Sequence, residues 1–163
     1  AVFSYVVLGA GFFTTGEAQR TVHTGVSQAT SNLEVAGPVV VGVGSSTVAH
    51  LNDISFFLQL AAGGASVDMQ KVTFTVSTTD ELKTYMYDSG VGKKWYANGI
   101  EQTDENDMLD KFEMVKITIS DDLPKIKTNA RFTVEVKPDM GAALPINRIA
   151  PPDFQENRYY EVY

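Results

Sequence analysis

Cysteine is absent from the 163 residues, which removes disulfides, thiolate nucleophiles, cysteine-ligated zinc and iron–sulfur clusters together. Histidine is nearly as scarce, with only His23 and His50. His23 stands among Thr21, Thr24 and Ser27, and His50 follows Ala49 in an expected strand. A catalytic triad needs imidazole, hydroxyl and acid to converge, and no G-x-S-x-G accompanies either histidine. No Asn is followed two places on by Ser or Thr, so the usual N-glycan acceptor is missing. An O-linked sugar would have the Thr/Ser-rich strip from Thr14 to Ser31, which reads more simply as a solvated helix face. Basic residues are outnumbered, 13 to 20, for a net charge of −7. Nucleic acid and anionic lipid headgroups repel such a chain. The chain opens on Ala1 rather than Met, with no basic segment before its apolar run and no cleavage site after it. The expectation is that a leader and the first part of a helix precede Ala1.

The composition that remains is that of a folded protein. The hydrophobic fraction is 44%, and the length suits one domain with a core and an appendage. Residues 1–13, AVFSYVVLGAGFF, carry no charge. As a helix they would span about 20 Å, short of the ~30 Å of a bilayer core. Two readings compete for this stretch. Gly9-Ala-Gly11-Phe-Phe-Thr14 nearly matches G-x-G-x-x-G, with Glu34 in the place of a ribose-binding acid. A soluble nucleotide-binding enzyme would follow. The third glycine position is Thr14, however, and the chain downstream lacks the alternating strands and helices that a parallel sheet requires. In the other reading the stretch is helical and continues past Thr14, where Val22, Val26, Ala29 and Leu33 recur at three- and four-residue spacing between polar residues.

Beyond Leu33 the period shortens to that of strands. Val35–Val43 reads as a strand kinked at Gly37-Pro38, and Val48–Leu60 as a second one. Lys71–Ser77, Lys111–Ser120 and Arg131–Lys137 alternate cleanly, as strands with one wet face do. Leu82–Tyr87 is a shorter strand, and Tyr159–Tyr163 a closing edge strand. The spacing predicts a long loop over 88–107 and a Pro-rich crossing of one end over 138–152. Seven or eight strands with turns every 8–15 residues favour an antiparallel sandwich over βαβ units. The fold class is therefore α+β, mainly β, divided into a helix at 1–31 and a sandwich at 32–163.

Two further motifs fall short. Gly90-Val-Gly-Lys-Lys94 is no phosphate loop, because Tyr87 holds the place of its opening glycine and Lys94 that of its Ser/Thr. Asp104, Glu105, Asp107 and Asp110 crowd one loop, and hard cations such as Ca²⁺ take oxygen ligands from loops of this kind. The EF-hand pattern fails for want of its Gly and final Glu. A solvated acidic loop is the plainer reading, with a weakly supported structural cation beside it and no other cofactor.

The segment Phe12–Gly25, running into Ser31-Asn-Leu-Glu-Val, resembles the helix-to-domain junction of archaellins, the archaeal flagellins. Ala62-Gly-Gly-Ala-Ser-Val-Asp-Met69 is similar to a turn in that family. Phe132-Thr-Val-Glu-Val-Lys-Pro138 and Gly141-Ala-Ala-Leu-Pro-Ile-Asn-Arg-Ile-Ala-Pro-Pro152 resemble its C-terminal portion. The resemblance implies no enzyme but a structural subunit of the archaellum, an extracellular motility filament on the archaeal surface. It implies an immunoglobulin-like outer sandwich and a type IV pilin-like helix packed in the filament core. Val2, Phe3, Val6, Val7, Leu8, Phe12 and Phe13 would bury apolar area there, and Gly9 and Gly11 would let helices approach closely. The partners implied are further copies of the chain in a helical homopolymer, other archaellin subunits, and the membrane that holds the helix before assembly. A type IV-like adhesive pilin is the alternative that shares the helix.

Overall fold

The computed structural model describes residues 32–45, 49–103 and 106–163. The expected helix over 1–31, with its packing residues Val2 to Phe13, lies outside these, as do His23 and two of the four loop acids, Asp104 and Glu105. The described residues belong to one compact unit, Ser31–Tyr163, and nearly all its regular structure is extended. The strands in order are β1 Leu33–Val35, β2 Val39–Gly42, β3 Asp53–Leu60, β4 Val67–Asp68, β5 Thr73–Ser77, β6 Leu82–Met86 and β7 Val91–Ala97. There follow β8 Ile100–Gln102, β9 Met108–Leu109, β10 Glu113–Ile119, β11 Arg131–Lys137, β12 Leu144–Ile149 and β13 Tyr159–Val162. A 3-10 turn, Met69–Lys71, is capped by the Asp68 carboxylate, which accepts from the Gln70 amide.

A seven-stranded sheet runs β13-β2-β3-β10-β7-β8, with β1 also paired to β3, and a four-stranded sheet runs β12-β11-β5-β6. Every pairing is antiparallel. That arrangement excludes a parallel nucleotide-binding sheet among the described residues. Alternation places Val39, Val41, Ile54, Phe56, Leu58, Val115, Ile117 and Ile119 on one face of the larger sheet, all buried. Phe74, Val76, Phe132, Val134, Val136 and Ile146 do the same for the smaller. The rings of Phe56 and Phe74 meet across the two sheets at 6.4 Å, so the inner faces share one core.

Several sequence expectations meet the coordinates closely. The kink at Gly37-Pro38 separates β1 from β2, with Gly37 at φ 85°, and both strands pair with β3. The tail forms an edge strand, β13 on β2. Others are corrected. The strand expected from Val48 begins only at Asp53, and His50 sits in a bend before it. The loop expected over 88–107 contains the hairpin β7–β8, turned at Asn98-Gly99 with φ 51° and 80°. The left-handed backbone needed at both turn positions is what an Asn-Gly pair supplies. The segment 138–152 does not merely cross an end, since β12 lies within it as an edge strand. Pro145 is tolerated there because an edge strand pairs on one side only. Gly90–Lys94, expected as a flexible loop, is a turn at Gly90 followed by the start of β7.

Candidate functional site

Among the described residues no set of catalytic groups converges. The His50 ring reaches only the Leu51 carbonyl, 3.2 Å from Nδ1. Glu34, once weighed as a ribose-binding acid, accepts a 2.6 Å hydrogen bond from Gln59 Nε2 on the neighbouring strand. Among the described residues no three His, Cys, Asp or Glu side chains stand together in a way that could hold a metal. Of the expected loop acids, Asp107 and Asp110 are engaged within the protein. Asp110 accepts a short hydrogen bond from the Ser66 hydroxyl.

Asp107 belongs to the most connected polar node of the unit. Tyr87 is fully buried. Its hydroxyl donates to Asp107 Oδ1 at 2.7 Å and accepts from Trp95 Nε1 at 3.1 Å. Gln70 Nε2 donates to the other carboxylate oxygen at 2.9 Å, and the Asp107 carbonyl accepts from the Met69 amide. Lys93 lies over the Tyr87 ring, 3.8 Å from its centroid, and its ammonium reaches Asp88 at 2.9 Å. Burial, then the bond to Asp107, pushes the Tyr87 phenol well above its ordinary range. The same bond is the main cause that holds the Asp107 carboxyl below 3.8, with Gln70 and Lys93 acting in the same direction. The node is a clamp. It fastens the acidic loop to the 3-10 turn and β7.

A second tyrosine, Tyr85, stands two residues earlier, within β6. Tyr85 donates to the Asp122 carbonyl at 3.0 Å, and burial, with Asp122 and Asp121 nearby, pushes its phenol up to about 12. Lys83 pairs with the Asp122 carboxylate at 2.8 Å. These contacts hold the β10–β11 connection against the smaller sheet.

What the unit offers to other molecules is surface. Leu82 and Met86 stand exposed on β6, Tyr159 on β13, Ile100 on β8 and Phe112 before β10. Phe112 holds φ 68°, a left-handed backbone that bulky residues adopt only where the surroundings impose it. On the outward face of the larger sheet, the rings of Phe57 and Tyr96 meet at a tilt, with centroids 5.6 Å apart. Sequence reasoning singled out none of these residues. Trp95 and Tyr96 had been set in a loop, and Phe57 was indistinguishable from its buried neighbours Phe56 and Leu58 until the pleat assigned it a face.

Comparison with known proteins points the same way. The model of the archaeal-type flagellin family matches residues 1–148. The chain is 41% identical to "Probable flagellin 1" of Archaeoglobus fulgidus, over 93% of its own length and 81% of that protein's. Among solved structures it is similar to the archaeal flagellum of Methanospirillum hungatei, with a TM-score of 0.61, 27% identity, and coverage of 100% of this chain and 90% of that one. It also shares a fold with the archaeal flagellin FlaB1 of Methanocaldococcus jannaschii, with a TM-score of 0.63, 15% identity, and coverage of 82% and 97%.

Proposed function

The chain belongs to the archaeal-type flagellin family, and we infer from that membership that it is a structural subunit of the archaellum and works by polymerising. It is a filament protein of the archaeal cell surface, not an enzyme. The observation that carries this reading is the family match over residues 1–148, which takes in the apolar N-terminal stretch and most of the β unit together.

The division of labour is the one that the resemblance to archaellins implies. Residues 1–31 form a helix that packs against the same helix in other copies, and residues 32–163 form the immunoglobulin-like sheath outside it. Val2, Phe3, Val6, Val7, Leu8, Phe12 and Phe13 supply apolar area worth roughly 25 cal/mol per Å² buried. Gly9 and Gly11 permit close approach of neighbouring helices. The contacts are head to tail and do not close, so growth continues into a helical polymer. Before assembly the same apolar helix is held at the membrane. Other archaellin subunits can share the filament, because the core helix asks only for a matching apolar surface.

Deletion of the gene tests the assignment, with swimming and surface filaments scored together. Cells that lose filaments and swimming, and regain both with the gene restored, support it. Cells that still swim, yet no longer adhere to surfaces, would point to an adhesive pilus instead. The helix role is tested by Val7→Asp and Leu8→Asp. Each is expected to abolish filaments while the β unit folds normally, and normal filaments from either variant would refute the core role.

A further inference from the structure

The outward face of the seven-stranded sheet holds a recess of about 380 Å³, walled by Pro38, Val40, Phe57 and Tyr159 with Asp53 and Lys116 among them. Its floor follows from register. Tyr159, Gly42 and Asp53 are directly opposite one another on β13, β2 and β3. Gly42 has no side chain, and the Asp53 carboxylate rests over its bare backbone, where any Cβ would collide with it. That carboxylate makes no hydrogen bond or ion pair with any described residue. Lys116 acts on it only through space, and burial dominates, raising the carboxyl above its ordinary value. A half-buried anion that no described residue hydrogen-bonds, in a recess with largely apolar walls, is a costly arrangement.

The opposite face of the unit carries the complement. On the outward side of β11 and β12, Arg131 lies directly across from Ile149, which is 44% exposed. Arg131 is exposed and makes no ion pair among the described residues. Outward positions of the smaller sheet's strands hold Arg131 and Lys137 against Glu135, a net positive face. On the larger sheet, Asp53, Glu34, Glu101 and Glu161 oppose Lys94 and Lys116, and Lys94 is already paired with Glu101 at 3.4 Å.

Resting on the filament reading above, we propose that this recess receives the smaller sheet's outward face of a second copy, with Arg131 of that copy against Asp53 and Ile149 against the apolar wall. The charge difference between the faces favours this pairing over either face meeting itself, which would set like charges together. Pairing of two different faces also leaves one of each free, so the contact extends into an open polymer, whereas a self-paired face would close at a dimer. A guanidinium suits the role because its planar fork can grip both carboxylate oxygens while its stem lies on apolar walls.

A charge swap tests this in full-length subunits expressed in cells lacking the native gene. Asp53→Arg and Arg131→Asp are each expected to cut the filament yield about tenfold or more, and the double variant to restore it. Asp53→Asn, which keeps the shape of the site, is expected to give shorter filaments with an unfolding midpoint no lower than that of the wild type, so that misfolding is not mistaken for lost contact. Wild-type yields from both charge variants, or no recovery in the double variant, would overturn the pairing. Discrete dimers in place of filaments would overturn it as well. Should the native sequence itself yield no filaments in these cells, the filament reading falls together with this one.

Discussion

The Tyr87 hydroxyl makes two hydrogen bonds, so Tyr87→Phe removes one oxygen that two partners share. Trp95, buried at 5% exposure, loses the acceptor of its indole N–H. The Asp107 carboxylate loses its shortest donor and keeps Gln70. A hydrogen bond to a charged group contributes about 1.5–3 kcal/mol, and a buried donor left unsatisfied costs about 1–3 kcal/mol. Partial rehydration of Asp107 at the surface discounts the first, which leaves an expected loss of about 2–3 kcal/mol. For a unit of this size that corresponds to a fall in Tm of roughly 6–12 °C. The measurement is thermal and urea unfolding of the β unit, wild type against variant. Its pH dependence gives a second check. Asp107 titrates below 3.8 in the folded state, so its contribution is present in full above the unfolded value. It is lost as pH falls through the depressed folded value. The gap between wild type and Tyr87→Phe is therefore widest near neutrality and shrinks in acid below about pH 4. A loss under 0.5 kcal/mol at pH 7, or a gap that widens in acid, would refute the clamp.

Other consequences follow from packing and turn geometry. Phe74→Ala, at the contact with Phe56 between the sheets, is expected to cost about 3–5 kcal/mol in urea unfolding. A cost below 1 kcal/mol would mean that the two inner faces do not meet there. Gly99→Ala places a Cβ at φ 80° and is expected to cost about 1–2 kcal/mol, whereas Asn98→Gly should be close to neutral by the same measurement. Equal effects at the two positions would argue against the hairpin turn.

The parts of the fold that were legible in sequence are those where one physical pattern acts alone. Arg131–Lys137 alternates without a break because one face is wet and the other lies in the core, and β11 has those bounds. Gly37-Pro38 announced its kink because proline cannot donate to a ladder. The hairpin β7–β8 was hidden because its inward positions include a lysine. Lys93 sits opposite the buried Ile117, and its stem crosses the Tyr87 ring to bring the ammonium to Asp88. In one dimension that inward residue looks solvated, and with Gly92 and Lys94 it dissolves the alternation. Similarly, β12 was masked by Pro145, whose tolerance depends on being at a sheet edge, a fact of topology. The recess at Asp53 had no signal in sequence, since it requires three strands to bring Tyr159, Gly42 and Asp53 into one row. The apolar opening stretch lies outside the described residues; its composition left a nucleotide-binding turn and a helix both open, and only the likeness to archaellins gave it a filament-core role.

We propose that residues 1–31 build the core of a filament and 32–163 its sheath. Electron cryomicroscopy of filaments sheared from cells expressing this chain tests it most directly. The expected result is a helical polymer with density for Val6, Val7 and Leu8 near the axis and the β unit, with Trp95 and Tyr87 as markers, at larger radius. Filaments with the β unit at the axis, or filaments whose side-chain density does not fit this sequence, would contradict it.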